Sequence, residues 1–75
     1  MMRLDELLAV TPYSTLIRLF YLDSESGEIY HVITNNRAEI VTMLPHRDLN
    51  SEVYCLKVDL VKSSNIPRLS ITISN

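Results

Sequence analysis

The stretch Thr15-Leu16-Ile17-Arg18-Leu19-Phe20-Tyr21-Leu22, followed by Asp23-Ser24-Glu25-Ser26-Gly27-Glu28 and then Ile29-Tyr30-His31-Val32-Ile33-Thr34, decides the reading of the fold. β-branched, aromatic and apolar residues fill the first run, which only Arg18 interrupts, and this composition predicts a strand. The polar segment after it holds the only glycine of the chain. A lone glycine between two apolar runs is most simply the positive-φ position of a hairpin loop. Ile29 to Thr34 is then the returning strand.

On the N-terminal side, Leu4, Leu7 and Leu8 share one helical face, Asp5 and Glu6 favour the positive end of the helix, and Pro12 limits it. The expectation is a short helix over residues 3–10. On the C-terminal side, Asn36 followed by Glu39 has capping-box spacing, Ile40, Met43 and Leu44 recur at helical intervals, and Pro45 stops the run. His46 to Ser51 reads as a polar turn. From Val53 to Lys62, Tyr54, Leu56, Val58 and Leu60 alternate with Cys55, Lys57 and Asp59; residues 63–67 read as a loop. Leu69, Ile71 and Ile73 then alternate with Ser70, Thr72 and Ser74. The order is α-β-β-α-β-β. The fold class expected is α+β: a two-layer sandwich of a four-stranded, mainly antiparallel sheet with two short helices on one face. Glu6 and Pro12 match Glu39 and Pro45 at one offset, which a duplicated helix–hairpin unit would produce. Two amphipathic helices each stopped by proline explain it more simply.

Seventy-five residues, read as 1–75, make one small domain, and 47% hydrophobic residues are too many for disorder. A formal charge of −2 lacks the basic signature of a general nucleic-acid binder. One cysteine, Cys55, allows no internal disulfide. The acidic residues in the first ten positions do not suit a signal peptide, and no run of about 20 apolar residues is present to span a membrane. A cytoplasmic protein with no membrane partner is the expectation.

The first hairpin is apolar on both faces: Leu16, Phe20 and Leu22 on one, Ile17, Leu19 and Tyr21 on the other. Two helices cover one face only, so the other requires a cover. A homodimer, or a docking surface for another protein, follows, with Ile17, Leu19, Tyr21, Tyr30 and Val32 as the candidate interface. The alternative is that loops or the N-terminal helix wrap that face.

No catalytic constellation emerges. His46-Arg47-Asp48-Leu49 matches the start of the protein-kinase catalytic loop, but Val53 stands where its metal-binding asparagine belongs, and the match is read as chance. His31, His46 and Cys55 lack metal-ligand spacing, and nothing places His46 beside Cys55 as a nucleophilic pair. A single glycine builds no phosphate loop. No cofactor and no metal are expected. Asp23, Glu25 and Glu28 at the hairpin tip form a solvated acidic turn or, in the sharper reading, an acidic contact for a basic partner. The basic residues are scattered, so weak nucleic-acid binding is the lesser alternative. A nucleotide or metabolite pocket at a dimer interface, lined by Tyr21, Tyr30, Tyr54 and Arg18, is the main one.

Leu4-Asp5-Glu6-Leu7-Leu8, Pro12-Tyr13-Ser14-Thr15, the acidic glycine-containing hairpin and the closing Leu69-Ser70-Ile71-Thr72-Ile73 together resemble short uncharacterised proteins carried by phages and mobile elements of Gram-positive bacteria. The resemblance covers the chain in outline and carries over no functional residues. It implies a host-facing or regulatory protein that works by binding, such as an inhibitor of a bacterial defence system. The function expected is a non-enzymatic protein-interaction module.

Overall fold

In the computed structural model, which describes residues 2–74, the chain runs α1 (Leu4–Ala9), β1 (Leu16–Leu22), β2 (Ile29–Asn36), α2 (Arg37–Met43), α3 (His46–Leu49), β3 (Glu52–Val61) and β4 (Ile66–Ser74). The strands form one sheet in the order β2-β1-β4-β3. β1–β2 and β3–β4 are antiparallel hairpins, and the two hairpins meet along a parallel β1–β4 pair. The α2–α3 segment carries the chain from one edge strand to the other, so β4 returns to the centre. The α+β class and the single mixed, largely antiparallel sheet agree with the sequence reading.

Local chemistry fixes the ends of the elements. Glu6 reaches back to accept the Arg3 amide at 2.9 Å and so ties the first turn of α1. Asn36 caps α2, its Oδ1 accepting the Glu39 amide at 2.9 Å. Pro45 ends that helix, but His46–Leu49 then winds one further turn, α3, where a polar turn was expected. Gly27 stands at φ 75°, as the hairpin loop requires, and Asn65 at φ 55° provides the left-handed residue of the β3–β4 turn. β4 begins at Ile66, inside the segment read as a loop. Pro67 is tolerated there because the β1 ladder starts only at Arg68.

The core lies between the helices and the two central strands. Leu4, Leu7 and Leu8 of α1, Ile40 of α2, Ile17 and Leu19 of β1, and Ile71 and Ile73 of β4 are buried. α1 is anchored to the second hairpin by its entry: the Val53 amide donates to the Met2 carbonyl and the Leu4 amide to that of Ser51. The helices have six, seven and four residues, the longest spanning about 10 Å, whereas the ten residues of β3 extend to about 33 Å. The helical roof is centred on β1 and β4, with Ile33 of β2 and Val53 of β3 packed at its margins. A duplicated helix–hairpin unit has no counterpart in the sheet, since β1 is central and its would-be equivalent β3 is an edge, which agrees with the simpler reading of two helices each stopped by proline.

Candidate interaction surface

The uncovered apolar surface lies on β3. Register places Leu56 beside Ile71, Val58 beside Leu69 and Leu60 beside Pro67, all on the face that the helices roof at the centre of the sheet. No helix reaches this far, and Leu56, Val58 and Leu60 remain 47%, 70% and 53% exposed. β3 is also an edge: Arg3 bridges Glu52 and the Val53 amide is held by Met2, but beyond Val53 no strand lies beside its outward backbone groups among the described residues. A bulge between Val53 and Cys55 leaves Tyr54 as the unpaired extra residue, out of the alternation that grouped it with Leu56, and exposed.

The candidate interface read from the first hairpin divides. Ile17 and Leu19 are fully buried beneath the helices, so they belong to the core and not to an outer face. The correction follows from which side the helices take. β1 is apolar on both faces, and alternation alone does not choose between them. Tyr21 is half-buried and pairs with Tyr30 across the hairpin; Tyr30 and Val32 are exposed, Val32 at the bulge of β2. Tyr21, Tyr30 and Val32 line a cleft of about 440 Å³ with His31, Arg47 and Asp48. Of the four residues expected to line a ligand pocket, only Tyr21 and Tyr30 meet there. Tyr54 is on the far edge strand and Arg18 on the opposite face of the sheet.

That opposite, open face carries an ion cluster assembled from three strands. Arg68 donates from Nε and Nη2 to the two oxygens of Asp59 at 3.0 and 3.2 Å, and Arg18 Nη2 donates to Asp59 Oδ2 at 3.0 Å. The Arg18 guanidinium also lies 5.1 Å from the Phe20 ring centre, and His31 meets that ring edge-on at 5.6 Å. Among the described residues Arg18 Nε is buried without a hydrogen-bond partner, and the electron-rich Phe20 face beneath the guanidinium compensates it in part. These contacts cover Phe20 from within, while Ile29, paired with Leu22 on the same face, remains 57% exposed. Position in sequence gave no sign of the cluster: Arg18, Asp59 and Arg68 lie on three different strands, and only the strand order brings them together.

The Arg68 hydrogen bonds hold the Asp59 carboxyl below its ordinary value, helped by the charges of Arg68, Arg18 and Lys57 and opposed by desolvation. A carboxylate whose pKa is lower folded than unfolded contributes stability that is complete above the unfolded value, about 4, and is lost as the pH falls through the folded one. Asp59→Asn is therefore expected to lower the urea midpoint at pH 7. The gap to wild type should narrow as both are acidified below pH 4; a gap independent of pH would contradict it.

The acidic hairpin is largely occupied by its own loop. Asp23 Oδ1 accepts the Glu25 amide at 3.0 Å, and Glu28 Oε2 accepts the Tyr30 hydroxyl at 2.6 Å, which raises the Tyr30 pKa. Only Glu25 of the three keeps a carboxylate without a hydrogen-bond partner among the described residues. His46 belongs to the helical layer while Cys55, paired with Thr72, faces the open side, so the two lie across the sheet from each other. Among the described residues no group of three or more His, Cys, Asp or Glu could hold a metal, and no helix is long and apolar enough to cross a membrane. No protein-family model, curated protein or solved structure matches the chain.

Proposed function

We propose that the chain is a non-enzymatic protein-interaction module that binds another protein chain through the far half of β3. The observation that carries this reading is the coincidence, on the far half of one edge strand, of outward backbone groups without a strand beside them and the exposed stripe Leu56, Val58 and Leu60. Long apolar edges are normally blunted in monomeric proteins, and strand addition with alternate side chains entering a partner is the usual use of an open one. The resemblance to phage and mobile-element proteins adds a regulatory, inhibitor-like setting in a bacterial cytoplasm. A small anionic ligand on the open face is less well supported. In the 220 Å³ hollow lined by Arg18, Phe20, Lys57 and Ser70, Arg18 is already bonded to Asp59, which leaves Lys57 as its one unpaired cation.

The test is a photoreactive benzophenone side chain placed in turn at Leu56, Val58 and Leu60 and, as control, at Glu25, in cells producing the protein. A discrete protein adduct from position 60 that Leu56→Asp abolishes, with none from position 25, is the expected result. Absence of an adduct at Leu56, Val58 and Leu60 alike would overturn the reading.

A further inference from the structure

Resting on that reading, we infer that the chain seated on β3 is a second copy of the same chain, paired antiparallel about a two-fold axis through Val58 to make one continuous sheet of two subunits. The strand is complementary to itself in this register. With Val58 opposite Val58 of the partner subunit, Leu56 faces the partner's Leu60 on the helix side, and Lys57 faces the partner's Asp59 on the open side, each pair occurring twice by symmetry. Shifting the axis to Lys57 or Asp59 sets like charges directly opposite one another. Shifting it to Leu56 brings the bulged Tyr54 into the ladder opposite Val58, and shifting it to Leu60 sets Lys62 opposite Val58. Only the Val58 axis matches both faces. From Cys55 to Val61 the register against β4 runs without a bulge, so the ladder is straight where the pairing would form. The other edge is less suited: β2 is bulged at Val32, in the middle of its length. Asp59 already accepts from Arg68 and Arg18 within its own chain, and the partner's Lys57 would extend that cluster across the junction.

The register is read with single cysteines in the full chain carrying Cys55→Ser. Directly opposed residues bring their Cβ atoms to about 4.5–5.5 Å, within reach of a disulfide after small adjustment, whereas residues four positions out of register lie about 13 Å apart along the strands. Val58→Cys is expected to oxidise to a disulfide dimer. Leu56→Cys alone is not, but an equimolar mixture of Leu56→Cys with Leu60→Cys is. In sedimentation equilibrium at tens of micromolar, the wild type is expected to be dimeric. Val58→Asp, which puts two carboxylates side by side on the axis, should weaken the dimer about a hundredfold or more, and Lys57→Glu roughly tenfold. Val58 is 70% exposed in the single chain, so the variant should keep its circular dichroism and its melting temperature at high dilution. A dimer that Val58→Asp leaves intact, or crosslinking of Leu56→Cys to itself, overturns this pairing. A wild type that stays monomeric at several hundred micromolar also overturns it. If the benzophenone at Leu60 still traps a different protein, the interaction reading survives and only the second copy is wrong; if it traps nothing, both fail.

Discussion

Ile71→Ala is expected to destabilise the fold by about 3–4 kcal/mol, within the range of about 2–5 for truncating a fully buried isoleucine. Ile71 is completely buried on a central strand, with Leu19 beside it on β1 and Leu56 on β3. Its neighbours are held by two strand ladders, so they cannot close over the space left, and the cavity cost adds to the lost transfer energy. A domain of this length is stable by on the order of 4–11 kcal/mol in total. One substitution would therefore remove a large share of the stability and lower the melting temperature by roughly 15–25 °C. Ile71→Val should cost only about 0.5–1.5 kcal/mol. Val58→Ala, on the same face but 70% exposed, should stay within about 0.5 kcal/mol. All three are measured by urea unfolding at micromolar concentration or below, where association contributes least. Equal losses from Ile71→Ala and Val58→Ala would mean that β3 and β4 are not divided into a covered and an uncovered column.

The same pair of positions shows where the sequence is informative and where it is not. Leu69, Ile71 and Ile73 alternate with hydroxyl residues, so β4 reveals its buried face locally. Gly27, Pro45 and the Asn36 cap are equally local, because each acts through its own backbone or through an amide three residues away. β3 alternates as cleanly as β4, yet its apolar phase is mostly exposed. Alternation reports which side chains share a face, not whether anything lies over that face. The helices are too short to reach the edge column, and that is a property of the assembled sheet. β1 fails in the opposite way. This central strand, unlike β4, is apolar on both sides, so Ile17 and Leu19 could not be told from Leu16 and Phe20 until the helices had a side. Bulges at Tyr54 and Val32 add one residue each without a residue type that marks them.

These two failures have one cause and one consequence. Strand order and helix placement are set by contacts between distant residues, above all the parallel β1–β4 junction, which joins two hairpins that are each locally legible. Once that junction forms, Arg18 and His31 pack against Phe20 on the open face, and the exposed apolar surface is shared between Ile29, Tyr30 and Val32 of the first hairpin and Leu56, Val58 and Leu60 at the edge of the second. The first hairpin, whose two apolar faces led to the expected interface, contributes only part of the surface left open, and the larger apolar stripe lies on β3.

Arg37→Ala is expected to cost about 2–3 kcal/mol, because Arg37 joins the ends of two helices to the turn between α1 and β1. Its Nε donates at 2.8 Å to the Leu8 carbonyl, which also accepts the Thr11 amide, at the C-terminal end of α1 where the dipole favours a cation. Its guanidinium lies 4.6 Å from the centre of the Tyr13 ring. A hydrogen bond from a charged donor contributes about 1.5–3 kcal/mol and an exposed cation–π contact about 0.5–1. The backbone bonds from Arg37 to Thr15 and from Ala38 to Tyr13 survive the substitution, so the first turn of α2 should remain formed. The loss should thus appear as a lower melting temperature, by roughly 10–20 °C, with little change in helical circular dichroism. Arg37→Lys keeps the charge near the α1 terminus but loses the planar stacking group, and is expected to recover about half. Tyr13→Ala should cost about 0.5–1 kcal/mol in the wild type and close to nothing in the Arg37→Ala background, since the ring then has no cation above it. Additive losses in that double-mutant cycle, or an Arg37→Lys variant as stable as wild type, would show that the stacking on Tyr13 contributes nothing and that charge at the end of α1 is the whole of the effect.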